Sequence, residues 1–338
     1  MAPENKSRRM RTLGQPAAVW REREYLRGKL VDAGVIILRT TGCRHYHDGG
    51  CSMCGYNLES DKNVAPADLL KQFDNGMEGL GEIKFLKVYT SGSFLDSCEI
   101  PKDVAHHILK ESADRGLRLL FESRPEFVND ETLQDALSIN EDLEIALGLE
   151  SANDRVLKYS INKGFSRAGF ERAATEIAKA RIDLRTYVLL KPPFLTEGEA
   201  IADSKETMGF ASRFSKVVSL NPVNVQRGTL VERLWRSWAY RPPWLWSVLD
   251  VLKTPHSDET RFICEPTGGG KERGAHNCGN CDDTILASIK AYSQTQDPRR
   301  LGHPDCECRD IWKSVVELDG FVMGGTADLQ RFFRKHLD

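Results

Sequence analysis

Short β-branched apolar runs recur over the first two thirds of the chain, each separated from the next by a stretch of helical periodicity. GVIILRT (34–40), IKFLKVYT (83–90), LRLLFES (117–123), LEIALGLES (143–151), IDLRTYVLLK (182–191) and KVVSLNP (216–222) read as strands buried in a parallel sheet. The segments between them carry helix-start signals. Pro101 suits a first helical turn, Ser166 stands as N-cap of a helix reaching Ala180, and Thr196 with Glu199 has capping-box spacing before a helix reaching Phe214. Six strands alternating with helices predict an α/β architecture: a partial barrel with fewer units than a closed one, or an open doubly wound sheet. In the fifth run, period two puts Arg185, Tyr187, Leu189 and Lys191 on one face, with Arg185 directed into the barrel or outward as a surface charge.

The pattern changes after Pro222. Four of the six tryptophans fall in LWRSWAYRPPWLW (234–246), and the glycine-rich EPTGGGKERGAHN (265–277) follows. The chain therefore divides into a segment 1–30, an α/β unit 31–225 and a Trp- and Cys-rich C-terminal domain 226–338. Helix-like intervals in the tryptophan segment suit core packing. The same tryptophans among arginines also suit base stacking with contacts to phosphate.

Composition narrows the class. With 338 residues, 40% hydrophobic and 28% charged, this is a globular chain able to bury a substantial core. No stretch approaches the ~20 apolar residues of a membrane span. The start, MAPENKSRRMRTLG, lacks the apolar region of a secretory signal, so a reducing cytoplasm is expected. The formal charge is −2, which gives no global attraction to nucleic acid. Residues 1–30 nevertheless hold eight Lys/Arg against three Asp/Glu, a local +5 that leaves about −7 for the rest. A solvated basic helix over Trp20 to Leu30 or a contact to phosphate accounts for it.

Nine cysteines in such a compartment point to metal sites. TGCRHYHDGGCSMCGYN (41–57) follows the first strand and spaces Cys43, Cys51 and Cys54 as C-x7-C-x2-C. Zinc would recruit four ligands, with His45 or His47 completing the set. Three thiolates can instead hold a [4Fe–4S] cluster and leave one iron open to a small molecule. The loop sits at the C-terminal end of a strand, where α/β folds place their chemistry. A second group pairs Cys278 with Cys281 and Cys306 with Cys308, fitting a structural zinc site or a second Fe–S cluster. Cys264, His276 and His303 are competing ligands, Cys264 the first substitute. Cys98 stands alone and is given no role.

The cysteine loop and the strand ends together resemble the radical S-adenosylmethionine (radical SAM) superfamily. YTSGSF (89–94) stands where that family has its motif for the SAM amino group. FESRPEFV (121–128) is similar to the E-[ST]-R-P motif of the Elongator catalytic subunit, which also has a long first cysteine gap. LGLES (147–151) and LLKPPFLTEGEAIAD (189–203) are similar to the family's fourth and fifth strand ends. The resemblance covers residues 30–225 and implies a partial (β/α)6 barrel. It also implies a [4Fe–4S] cluster on Cys43, Cys51 and Cys54, and SAM held by Ser91, Gly92, Ser93, Glu122, Arg124, Glu150, Ser151 and Arg185. A cluster electron would cleave SAM, and the 5′-deoxyadenosyl radical would abstract a substrate hydrogen.

With FICEPTGGGKERGAHNCGNCDD (262–283) and the terminal C-x-C, the chain further resembles the family of radical SAM subunits of archaeosine synthase. That resemblance implies a cytoplasmic archaeal tRNA-modifying enzyme served by an electron donor. Its substrate would be a lysine-bearing 7-deazaguanine nucleotide in tRNA, made by a partner enzyme that attaches the lysine to 7-cyano-7-deazaguanine. Cleavage of the lysine side chain would leave a formamidine. The position of hydrogen abstraction, the catalytic residues and the stability of the complex are not legible in these motifs. Other substrates for a radical SAM protein, or a zinc-stabilised RNA-binding module without catalysis, are the alternatives.

Overall fold

A computed structural model describes residues 12–254 and 257–322. All six expected strands form, and two more join them. In chain order the strands are β1 (Ala18–Leu26), β2 (Lys29–Ile37), β3 (Phe85–Tyr89), β4 (Arg118–Ser123), β5 (Leu143–Glu150), β6 (Asp183–Leu190), β7 (Val217–Pro222) and β8 (Arg261–Cys264). They lie side by side in sequence order, with β2 to β8 parallel and β1 antiparallel to β2. The sheet curls into a half-barrel, the partial barrel rather than the doubly wound alternative.

The helices are α1 (Arg44–His47), α2 (Pro66–Leu80), α3 (Lys102–Asp114), α4 (Asp130–Leu137), α5 (Arg167–Lys179), α6 (Glu197–Ala211), α7 (Leu230–Arg236), α8 (Leu245–Leu252), α9 (Asp282–Thr295) and α10 (Cys308–Val322). The expected caps are in place. The Ser166 hydroxyl accepts from the Gly169 amide, and Thr196 and Glu199 close their capping box at 3.1 and 3.0 Å. Apolar residues on the outer face of the sheet pack under these helices in one large core, including Ile36, Leu86, Val88, Phe121, Leu147 and Val188.

The inner face is different. Beyond a small cluster of Ala33, Phe85, Leu120 and Ala146, it is lined by charges and phenols. Lys87 pairs with Glu22 and Glu24, and Arg185 pairs with Glu24 and Glu144. Residues 20–26 are therefore strand, not the solvated helix expected from their charge. Glu22 and Glu24 reach Lys87 inside, while Arg21 bonds the Leu80 and Glu82 carbonyls outside. The rest of the basic N-terminal segment, residues 1–11, lies outside the described residues. β8 comes from the C-terminal third and pairs with β7 from Val217↔Arg261 to Leu220↔Cys264, so the sheet does not stop at residue 225.

Candidate active site and metal centre

The loop after β2 holds Cys43, Cys51 and Cys54 over the C-terminal edge of the half-barrel. Its two ends are tied together where the Asp61 amide donates to the Thr40 carbonyl, 3.0 Å. Asn57 Oδ1 accepts from the Cys43 amide at 3.2 Å. The Ser52 amide donates to the Ile161 carbonyl at 2.8 Å, and Asn162 Nδ2 donates to the Gly50 carbonyl at 2.8 Å. These partners end a π-helical turn, Val156–Ile161, and Asn162 leaves it in the left-handed region at φ 55°. Such turns cluster at functional sites because they displace backbone groups from the regular ladder. On the other side, the Val231 amide donates to the Ser52 carbonyl, so α7 also buttresses the loop.

Burial raises the Cys51 thiol and pushes Cys54 up to about 12. The three thiols feel one another, and the charges acting on Cys51 are Lys163, Glu150 and Arg124. They do not form the compact four-atom knot that a single ion would draw together; among the described residues only the C-terminal group does. Three thiolates on one loop are the donor set that a [4Fe–4S] cluster with one open iron would take. Binding it would release thiol protons.

Ser91, Gly92 and Ser93 pack directly against this loop. Their three successive amides converge on one carboxylate, Glu99, at 2.9, 3.0 and 2.7 Å, and Glu99 also accepts from the Thr40 hydroxyl at 2.7 Å. Gly92 lies so near Cys43 that a Cβ would stand 2.8 Å from its Cα. Glue of this kind is invisible in sequence, where Glu99 is an ordinary acid two residues before a proline. The amides of this turn donate to Glu99, and its carbonyls and hydroxyls are the acceptors that could receive a ligand's ammonium.

Glu122 and Glu150 face the inside of the half-barrel. Burial raises the Glu122 carboxyl to about 7, opposed by a hydrogen bond from Tyr187 and reinforced by the Glu150 charge. Glu150, at φ 66°, pairs with buried Lys163 at 2.8 Å. Lys163 is a site residue missed by sequence reasoning; it lies twelve residues past Ser151 with no motif around it. Arg124 is buried at the same rim, bonding Glu126 Oε1 and the Lys163 carbonyl. Two of the residues expected to contact SAM already hold protein partners. The Ser151 hydroxyl donates to Asp203 Oδ1 on α6 at 2.8 Å, behind the sheet. Arg185 Nε and Nη1 are engaged by Glu144 and Glu24 deeper in the barrel.

The C-terminal cysteines form a compact four-sulfur donor set. Cys278, Cys281, Cys306 and Cys308 have sulfurs all within 4.8 Å of one another, with contacts of 3.6 Å (278–306), 3.7 Å (281–308) and 3.4 Å (306–308). A tetrahedron with Zn–S bonds of about 2.3 Å has edges of about 3.8 Å. Trp246 Nε1 donates to Cys308 Sγ at 3.2 Å and Asn277 Nδ2 to Cys281 Sγ at 3.3 Å, bonds that favour thiolate. Cys264 is not in the set. It is fully buried in β8, where burial holds its thiol well above the usual range. His276 and His303 also stand outside the set, His303 edge-on to Trp246.

No protein-family model matches the sequence. Two curated relatives match nearly throughout. Archaeosine synthase subunit beta of Methanosarcina acetivorans is 36% identical over 319 residues, covering 92% of each chain. Its counterpart in Thermococcus kodakarensis is 38% identical over 313 residues, covering 88% of this chain and 96% of that one. Among solved structures, methylornithine synthase aligns with a TM-score of 0.47 at 16% identity, over 65% of this chain and 61% of that one. Elp3 of Methanocaldococcus infernus aligns at 0.44 and 14%, over 68% and 56%. With relatives this similar over about nine tenths of its length, the chain belongs to the archaeosine synthase subunit beta family.

Proposed function

We propose that this chain is the radical SAM component of archaeosine formation. In this reading it acts on a lysine-bearing 7-deazaguanine nucleotide in tRNA, beside the enzyme that attaches the lysine, and draws its electron from a separate donor. Cys43, Cys51 and Cys54 would hold a [4Fe–4S] cluster, and SAM would lie between them and the inner rim. Bound there, the two supply a 5′-deoxyadenosyl radical able to take a hydrogen from the lysine side chain. The protein's own part is positional. Glu99 fixes the Ser91–Gly92–Ser93 turn so that its carbonyls and the Glu122 carboxylate can receive the SAM ammonium. Arg124 and Lys163 oppose the negative charge that three thiolates bring. Glu150 holds Lys163 in place. The polar inner wall, with Tyr89 and Tyr187 among its charges, suits a polar substrate rather than a greasy one. Zinc at Cys278, Cys281, Cys306 and Cys308 would be structural, since four protein thiolates leave no open position. No helix among the described residues is long and apolar enough to cross a membrane.

The observation that carries the reading is the close seat of Gly92 and the Glu99-bound turn on Cys43, in a chain so similar to archaeosine synthase subunit beta. Anaerobic protein with a reconstituted cluster, SAM, dithionite and lysine-modified tRNA should yield 5′-deoxyadenosine and a formamidine nucleoside by mass spectrometry. SAM cleavage without change in the tRNA would retain the radical chemistry and overturn the substrate. A Cys43→Ala variant with full SAM cleavage would overturn the cluster assignment.

A further inference from the structure

Trp238 is 94% exposed, the most exposed of the large apolar residues described. It also sits in the left-handed region, at φ 61°. The cause is the end of α7. The Ala239 amide returns to the Leu234 carbonyl at 2.9 Å and the Trp238 amide to the Trp235 carbonyl at 3.1 Å, a Schellman motif with Trp238 at the position where glycine is favoured. Tryptophan there brings backbone strain and gains no packing in return. The other tryptophans of this segment are accounted for: Trp244 and Trp246 are buried in the core, and Trp235 packs on it beneath Arg273.

The chain on either side of Trp238 is basic. Its exposed neighbours are Arg236, Ser237 and Ala239, and Arg227 and Arg233 are exposed along the same segment. Over residues 226–241 the only acid is Glu232 against four arginines. Glu232 is buried and already paired by Arg236 and Arg273. Arg227 and Arg233 make no ion pair among the described residues. The patch begins at the cluster loop itself. The Gly55 amide donates to Gln226 Oε1, Leu58 lies against Gly228, and the Val231 amide reaches Ser52. The seven residues of α7 then carry the chain about 10 Å outward to Trp238.

We infer that Trp238 stacks on an unpaired base of an RNA whose phosphates are met by Arg227, Arg233 and Arg236, beside the mouth of the half-barrel. The inference rests on the proposed RNA substrate and adds where that RNA is gripped. An indole among exposed guanidiniums is the chemistry that holds a splayed single strand. A protein partner would call for contiguous apolar area, which the neighbours of Trp238 do not offer.

Trp238→Gly gives a test in which folding and function move in opposite directions. Glycine relieves the left-handed strain, so the variant should melt no lower than the wild type. Its affinity for lysine-modified tRNA, read by fluorescence anisotropy, should fall about 5- to 150-fold, the range for losing one stacked base. Trp238→Phe should recover most of it. Arg227→Ser and Arg233→Ser should each reduce the salt dependence of binding by about one ion. SAM cleavage in the absence of RNA should be unchanged in Trp238→Gly. Wild-type affinity in Trp238→Gly overturns the inference while leaving the proposed substrate standing. Intact tRNA binding with lost capture of the lysine-attaching enzyme overturns it in favour of a protein surface. Failure of the wild type to bind tRNA would remove the proposed substrate, and the RNA patch with it.

Discussion

Gly92→Ala adds one methyl group at the seam between the cluster loop and the turn after β3. The new Cβ would stand 2.6 Å from Glu99 Oε2, 2.8 Å from Cys43 Cα and 2.9 Å from Cys43 Cβ. Ordinary carbon contacts begin at about 3.5 Å, so one side must retreat by about half an ångström or more. Neither side gives easily. Glu99 is held by three amides and a hydroxyl, and the Cys43 amide is held by Asn57. Gly92 is not in the left-handed region, so the effect is steric alone. Overpacking of this kind costs about 1–3 kcal/mol. Its functional effect should exceed its effect on stability, because the first atoms displaced belong to Cys43, one of the three cysteines proposed to hold the cluster. The expected outcome is a modest drop in melting temperature, less iron per chain after anaerobic reconstitution, and SAM affinity lower by about tenfold, given that about 1.4 kcal/mol is a factor of ten. Gly79→Ala on α2 is the matched control. Nothing lies within 4 Å of its Cβ position, so alanine there should stabilise by about 0.5–1 kcal/mol and leave iron unchanged. Full iron content and wild-type SAM affinity in Gly92→Ala would refute the reasoning.

Two further outcomes follow from the site's electrostatics. Glu122, held at about 7 in the fold against an ordinary 4.5, binds its proton more tightly when native. The native state is therefore unpenalised below about pH 4.5 and penalised progressively up to pH 7, by about 3 kcal/mol above it. Glu122→Gln should then raise the melting temperature at pH 8 and not at pH 4.5; an equal rise at both would sink the assignment, with Tyr187, Glu150, Lys163 and Glu99 as the groups that set the carboxyl's surroundings. Glu99→Gln puts an N–H₂ among converging amide donors and should cost about 2 kcal/mol or more, with loss of cluster retention; wild-type melting and iron would show that the turn stands without the carboxylate.

The six parallel strands were legible because their outer faces are apolar and nearly all their residues are buried, leaving short apolar runs between helical stretches, and the caps of α5 and α6 because capping is local chemistry. β1 was not legible for the converse reason. In AVWREREYL the alternation is between charges: Glu22 and Glu24 turn inward to Lys87, and Arg21 turns out. Only the tertiary ion pairs make that side an inside, and they draw Glu24 down to about 2 against the opposing effect of burial. The same hidden strand supplies Glu24, which with Glu144 holds the Arg185 guanidinium inside the barrel. β8 is four residues long, too short for any period to show. The C-terminal cysteine set, whose four sulfurs meet in the fold, could be read because its members come in close sequence pairs. Glu99 and Lys163 could not, since each acts through contacts that exist only once the strand ends meet.

The C-terminal cysteine set is wired into the half-barrel, and this gives metal removal a defined consequence. Trp246 links Cys308 to α8, and Ser247 on the same helix accepts from Trp312 Nε1 on α10 at 2.8 Å. Ser247 in turn donates to Glu197, which is fully buried and pairs with Lys191 at the end of β6. Glu197 also accepts from the Trp244 amide. A buried carboxylate with these partners tolerates little displacement, since losing one leaves charge uncompensated. Metal loss would free four thiolates to repel or protonate and would loosen α9 and α10 from α8. Structural metal binding is worth on the order of several kcal/mol to such a module. Chelation should therefore lower the melting temperature by several degrees and shift the tryptophan emission, since Trp244, Trp246 and Trp312 all adjoin the linked groups. It should also expose the region after residue 264 to proteolysis before the sheet opens. Cys308→Ser should do the same without chelator and bind less than one zinc per chain. Unchanged emission and melting after verified metal removal would show that the four sulfurs do not brace the fold, and the Glu197 chain would then stand on its own hydrogen bonds.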